Sequence, residues 1–190
     1  MMFLKKVKYA NTKEKMNFEN NFIFGKDETL FPKFTNIFGK KYSVNVYYLR
    51  IKKMELNINN NSINISLPMI YKNRENQDIL DEVLYKMYKK ITESELENIF
   101  ENARHSFGFA PENYEVKKMD KTLALCNNTL QTIFVSPYIS MYSKDIIEYI
   151  IFHEFCHLKY KTHSKKFYEM LSKYYPNYEK ISKLLPNLKY

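Results

Sequence analysis

Residues 143–163 read Ser-Lys-Asp-Ile-Ile-Glu-Tyr-Ile-Ile-Phe-His-Glu-Phe-Cys-His-Leu-Lys-Tyr-Lys-Thr-His, and this stretch decides the fold. Ser143 is a helix N-cap by residue type, and Asp145 puts a negative charge in the first turn. Ile146, Ile147, Ile150 and Ile151 then recur at helical spacing. Inside that helix stand His153, Glu154 and His157, an H-E-x-x-H pattern. Residues four apart lie on one helix face, so two imidazoles can reach a single metal ion. Glu154 is turned about 100° from His153 by helix geometry. It therefore flanks the metal position and can take a proton from a water activated there.

A metal site of this kind needs a third protein ligand and an open position. His163 follows His157 by six residues, and Lys159 to Thr162 can end the helix and turn the chain back. Thr162 or Ser164 suits the N-cap of a following helix, which sets His163 at its start. The expected zinc ligands are His153, His157 and His163, with Glu154 as catalytic base. They use three of the four histidines in the chain, so chance coincidence is a poor explanation. The metzincins share this offset of the third His, but they carry Gly where Tyr160 stands. The downstream Met170 falls within a predicted helix and not in a turn, so a metzincin is not the expectation.

Upstream, the period of the pattern is two. Tyr42–Ile51 is rich in β-branched and aromatic residues and reads as a strand. Glu55–Leu67 alternates through Leu56, Ile58, Ile63, Ile65 and Leu67. Asn59-Asn60-Asn61 separates the runs, and asparagine tolerates left-handed turn backbone, so a hairpin is expected. From Gln77 the period becomes helical, through Ile79, Leu80, Val83, Leu84, Met87 and Tyr88, to about Ile91. Thr92 with Glu95 forms a capping-box pattern, which predicts a second helix ended by Gly108 and Pro111. Tyr114–Met119 and Thr129–Ser136 read as short strands, the latter ended by Pro137. Helices are expected over about His163–Tyr174 and Tyr178–Leu185. Residues 1–40 hold Phe18, Phe22, Phe24, Phe31, Phe34 and Phe38 without sustained periodicity and stay unassigned.

The chain has 190 residues with 45% apolar and 27% charged, ordinary globular usage that excludes disorder, collagen and coiled coil. No apolar run reaches the ~18 residues of a membrane span. The first fifteen residues lack the apolar stretch of a signal peptide. Two cysteines do not make a disulfide framework. A cytoplasmic protein is the expectation. The net charge of +9 is divided as +8 over residues 1–53, −5 over 54–158 and +6 over 159–190. Basic ends are compatible with nucleic acid, but solvated lysines explain them as well.

Around the histidines the sequence resembles the YgjP-like zinc metallopeptidases. The resemblance is carried by Ile147 to Leu158, by Thr162-His163-Ser164-Lys165-Lys166-Phe167, and by Pro176-Asn177-Tyr178. The family shows Y-V-x-x-H-E-L-x-H-L, then H-S-x-x-F, then P-x-Y. The H-S-x-x-F element is shared more loosely with SprT-like proteases, which act on DNA-bound proteins. The resemblance implies an α+β, zincin-like fold: a small β-sheet with an active-site helix, preceded by a β-hairpin-containing N-terminal region. The chain is read as a β-rich part, 1–74, and a metallopeptidase core, 75–190, forming one unit. The resemblance also implies zinc, a peptide or protein substrate and hydrolysis of peptide bonds. One departure stands out: the family's W-G-S-C is Leu123-Ala124-Leu125-Cys126 here, and only the Cys remains.

Two alternatives stay open: a non-peptidase zinc hydrolase on the same site, and a nucleic-acid-associated, SprT-like protease. Tyr138, Tyr160, Tyr174 and Tyr175 are candidates for stabilising an oxyanion. Thr129–Ser136 could present a strand edge to an extended peptide. Cys126 and Cys156 read as packed thiols. His105 sits at a helix C-terminus, where a cationic imidazole is favoured, and is not expected to bind metal.

Overall fold

Strands β1 (Phe34–Ile37) and β2 (Lys40–Leu49) form an antiparallel pair in the computed structural model, which describes residues 34–72, 77–120 and 122–185. Phe18, Phe22, Phe24 and Phe31 lie outside the described residues. Strand β1 falls inside the unassigned stretch, and β2 is the strand expected at 42–51, beginning two residues earlier. The turn between them places Phe38 at φ 50° and Gly39 at φ 76°. Two consecutive positive values define the hairpin turn whose twist matches the flanking strands.

The expected hairpin is present as β3 (Glu55–Asn59) and β4 (Ser62–Pro68), paired antiparallel through Asn60-Asn61. Its turn works differently from the expectation, because neither asparagine has positive φ. The Asn61 carbonyl instead accepts the Ser43 N–H at 2.9 Å, which ties the turn to β2. Strand β4 pairs in parallel with β2, giving a sheet of order β1-β2-β4-β3. The alternation divides its faces. Ile63, Ile65 and Leu67 are buried, while Asn45 and Asn64 hydrogen bond across the other face at 3.0 Å.

One helix, α1 (Gln77–Phe107), replaces the two that were expected. Its buried positions Leu80, Leu84, Tyr88, Thr92, Leu96, Ile99, Ala103 and Phe107 run three or four apart without a break. No glycine or proline interrupts them, so nothing stops the helix at residue 91. Thr92 is therefore no N-cap. Its hydroxyl is buried and donates to the Pro137 carbonyl at 2.7 Å. The capping-box pattern misleads because a buried threonine can satisfy its hydroxyl through a tertiary acceptor. At the far end Gly108, at φ 71°, donates its N–H to Arg104 O and closes the helix.

The second sheet contains β5 (Asn113–Val116), β6 (Ala124–Asn127) and β7 (Thr132–Val135) in the order β5-β7-β6. Pro137 ends β7 as expected and opens a 3-10 turn over Pro137–Met141. That turn packs on α1 and receives the β1–β2 hairpin, through Phe38 N–H to Ser140 O at 2.7 Å and Gly39 N–H to Met141 O at 3.2 Å. Tyr88 on α1 donates to Asn36 O at 3.0 Å and accepts from the Thr35 hydroxyl, holding β1. Helix α2 (Lys144–His157) starts directly after this junction, and α3 (Lys165–Tyr174) and α4 (Tyr178–Ser182) follow. An aromatic cluster of Phe100, Phe107, Phe152, Phe155 and Tyr174 joins α1, α2 and α3. Among the described residues no helix is long and apolar enough to cross a membrane. The architecture is the α+β arrangement that was expected, with the H-E-x-x-H helix against a small sheet.

Candidate metal centre

Helix α2 is buried on almost every side, from Ile146 to Cys156. Ser143 occupies the N-cap position with extended backbone, but its side chain makes no capping hydrogen bond. Most of the buried side chains are aliphatic or aromatic. The exceptions are the Cys156 thiol and two groups that can carry charge at neutral pH, His153 and Glu154, at 2% and 1% exposure. Burying ionisable groups costs free energy that a core residue would not, so two of them side by side on a core helix mark a functional site.

The helix ends after His157, and the chain turns back through 158–164. Ser164 is the cap chosen from the two candidates, accepting from Phe167 N–H at 3.4 Å. His163 precedes it and returns to His153, with their Nε2 atoms 2.9 Å apart. One ring nitrogen from each of His153, His157 and His163 lies within 4.8 Å of the others. Zinc–nitrogen bonds of about 2.0–2.1 Å set ligand nitrogens about 3.4 Å apart around a tetrahedral ion, so the spacings here need only small side-chain adjustments to close on one ion. Phe167 sits beneath all three imidazoles, its centroid 4.8, 4.7 and 4.8 Å from those of His153, His157 and His163. It is fully buried and forms the floor of the cluster.

Several partners orient the site. His157 Nδ1 lies 2.9 Å from the Tyr160 carbonyl, which holds a proton on Nδ1 and leaves Nε2 as the donor atom toward a metal. The Asn128 side-chain amide donates to the His157 carbonyl. Glu154 Oε2 accepts the Cys126 N–H at 2.7 Å, from strand β6. Its other oxygen, Oε1, is buried with no hydrogen-bond partner among the described residues.

Burial pushes the His153 imidazole down to about 2, and the two neighbouring histidines add to this. His157 and His163 are lowered as well, mainly by burial. All three are then neutral at pH 7, the form that binds metal. Burial pushes Glu154 up to about 8, opposed in part by the Cys126 N–H. Three neutral imidazoles beside this carboxyl fit a divalent ion of the type that prefers nitrogen ligands, and the charge of such a cation would draw Glu154 back toward its ionised, proton-accepting form.

The remaining candidates separate clearly. His105 is exposed and lies 3.2 Å from Glu101 at the end of α1. The Cys156 thiol is buried and pushed up to about 12, as is that of half-buried Cys126. Tyr138 packs against Tyr85 and Tyr88, Tyr174 against Phe107, and the Tyr175 hydroxyl donates to Asp145 O at 2.9 Å. Of the four tyrosines considered, Tyr160 touches a site histidine, and it does so with its backbone. The idea that 129–136 offers a strand edge is wrong. Strand β7 is central, paired to β5 on one side and β6 on the other. The edge beside Glu154 is β6, which contains Ala124, Leu125 and Cys126 of the variant W-G-S-C stretch. The contributions of the Cys126 N–H and the Tyr160 carbonyl leave no mark in residue type, and Asn128 carries no local signal of its role.

No curated protein matches the chain in sequence. The crystal structure of the metallopeptidase zymogen of Pyrococcus abyssi abylysin is similar over 46% of this chain and 86% of that one, at 24% identity and a TM-score of 0.42. The family described as YgjP-like, metallopeptidase domain, matches residues 8–187, nearly the full length. The chain belongs to the YgjP-like metallopeptidase family.

Proposed function

We propose that this metallopeptidase is zinc-dependent, with His153, His157 and His163 as the metal ligands and Glu154 as general base. The observation that carries the reading is the convergence of three imidazole nitrogens within 4.8 Å, next in sequence to a buried carboxylate with one unpartnered oxygen. When bound, zinc supplies a lowered pKa for water and polarises the scissile carbonyl. Cys126 N–H anchors Oε2 of Glu154, so the carboxylate keeps one orientation. Oε1 accepts the proton of the attacking water and passes it to the leaving amine. Strand β6 is the outer strand of its sheet among the described residues, and an extended peptide would add to it beyond the Cys126 N–H that Glu154 occupies. A cytoplasmic location is part of the same proposal, supported by the two free thiols, which suit a reducing compartment.

The test is a substrate panel on zinc-loaded protein. It should cleave unstructured peptides, lose that activity on chelation and regain it with zinc. Turnover of phosphoesters with peptides left intact would favour the non-peptidase alternative. Cleavage insensitive to chelation would overturn the reading.

A further inference from the structure

His163 differs from the other two site histidines. His153 and His157 ride on a buried helix, whereas His163 is exposed and lies outside any helix. The Ser164 N–H donates to Thr162 O at 2.7 Å, so His163 is the centre of a three-residue turn. Such a turn fixes the backbone but not the side-chain torsions of the imidazole. Besides His153 and His157, the ring meets two aromatic neighbours. Phe167 approaches edge-on at 4.8 Å and 87°, and Tyr168 stacks at 6.0 Å and 27°. Tyr168 stacks in turn on Tyr178 of α4, at 5.8 Å and 28°. His163, Tyr168 and Tyr178 thus form a ladder of near-parallel rings along the outside of the site. Tyr168 is 40% exposed, so core packing does not require an aromatic residue there.

We propose that Tyr168, backed by Tyr178, is a positioning residue that sets the plane of the His163 imidazole for metal binding. The proposal rests on the reading of His163 as a ligand. Offset stacking favours parallel planes, and the ladder transmits the orientation of α4 to the imidazole. A ring held before the ion arrives loses less freedom on binding it, so removing the stack weakens affinity without removing a ligand atom.

Zinc affinity by competition with a chromophoric chelator tests this, on wild type, Tyr168→Ala, Tyr168→Phe, Tyr178→Ala and His163→Ala. Tyr168→Ala is expected to weaken zinc binding roughly 10–100-fold, the scale of lost outer-shell partners. Tyr168→Phe keeps the stack and should restore affinity to within about twofold, and Tyr178→Ala should fall between them, in line with context-dependent aromatic stacking. Metal-free Tyr168→Ala should melt only a few degrees below Tyr168→Phe, roughly the loss of one partly exposed stack, and both should fold. Wild-type affinity in Tyr168→Ala, with zinc lost in His163→Ala, would overturn the ladder alone. Wild-type affinity in His163→Ala would overturn the ligand reading beneath it. A Tyr168→Phe variant as weak as Tyr168→Ala would also overturn the stacking role.

Discussion

The backbone N–H of Cys126 donates to Oε2 of Glu154 at 2.7 Å, which fixes a strand edge to the carboxylate of the buried helix. Strand β6 pairs with β7 on one side, and the Cys126 N–H points the other way. Glu154 therefore covers part of a sheet edge while the edge orients Glu154. A backbone donor makes this constraint independent of the side chain at 126, whose thiol is pushed up to about 12 and is inert as a nucleophile. The contact to Glu154 therefore does not depend on the side chains that differ from W-G-S-C in this stretch.

Glu154→Gln tests the proton transfer. Glutamine keeps an oxygen for the Cys126 N–H and fills the same volume, so zinc content should stay at the wild-type level. Peptide hydrolysis should fall by roughly 10²–10⁴, the range for general acid–base catalysis. Hydrolysis at the wild-type rate would remove Glu154 from the mechanism.

His163→Ala and His105→Ala separate the candidate ligand from a surface histidine. The first removes one of three nitrogens that lie within 4.8 Å of one another, and the second removes an exposed partner of Glu101. Zinc content after dialysis should collapse in His163→Ala and stay unchanged in His105→Ala. Equal metal content in both would overturn the third-ligand assignment.

Phe167→Ala removes the floor under all three imidazoles. The ring is fully buried, so the substitution should cost about 3–5 kcal/mol of stability. Phe167→Leu should recover most of it. Zinc binding should weaken in both, because each histidine ring loses an aromatic neighbour. Denaturant unfolding and chelator competition measure the two effects separately.

Thr92→Ala tests the continuity of α1. As an N-cap, Thr92 would hold a helix start, and its loss would lower helicity. Inside one helix, alanine is the better helix former. The variant should keep its helical circular dichroism yet lose about 1–3 kcal/mol, because the Pro137 carbonyl is left without its buried donor. Reduced helicity at unchanged stability would contradict this.

The parts of the fold that could be read in advance are those where local pattern and tertiary packing agree. Glu55–Leu67 alternates because one face of the sheet is buried, and the helix from Lys144 is periodic because it is core. Thr92 misleads, since its local capping pattern competes with an apolar stripe that runs from Leu80 to Phe107. Strand β1 escapes because four residues are too few to show a period. The histidines and Glu154 were readable because side-chain chemistry at helix spacing is written in residue type. The Cys126 N–H, the Tyr160 carbonyl and the β5-β7-β6 order are matters of backbone and pairing, which residue identities do not encode.

Glu148 offers a pH test away from the histidine cluster. Its carboxyl is raised above the ordinary 4.5, first by burial and second by the charge of Asp145 three residues earlier. The other group facing it is Tyr175, whose hydroxyl is pushed up to about 12 and donates to Asp145 O. Tyr175 therefore stays neutral across the range and cannot offset the carboxylate. A raised acid is protonated in the folded chain at pH values where the unfolded chain has already ionised. Its contribution to stability is complete below about pH 4.5 and is lost as pH rises through the folded value. Glu148→Gln removes this dependence and leaves the other titrating groups in place. The melting temperature of the variant minus that of wild type should be near zero at pH 4. It should then rise with pH as the folded carboxyl ionises and level off once ionisation is complete. A flat or falling difference would mean that the Glu148 carboxylate is stabilised, not penalised, by its place on α2.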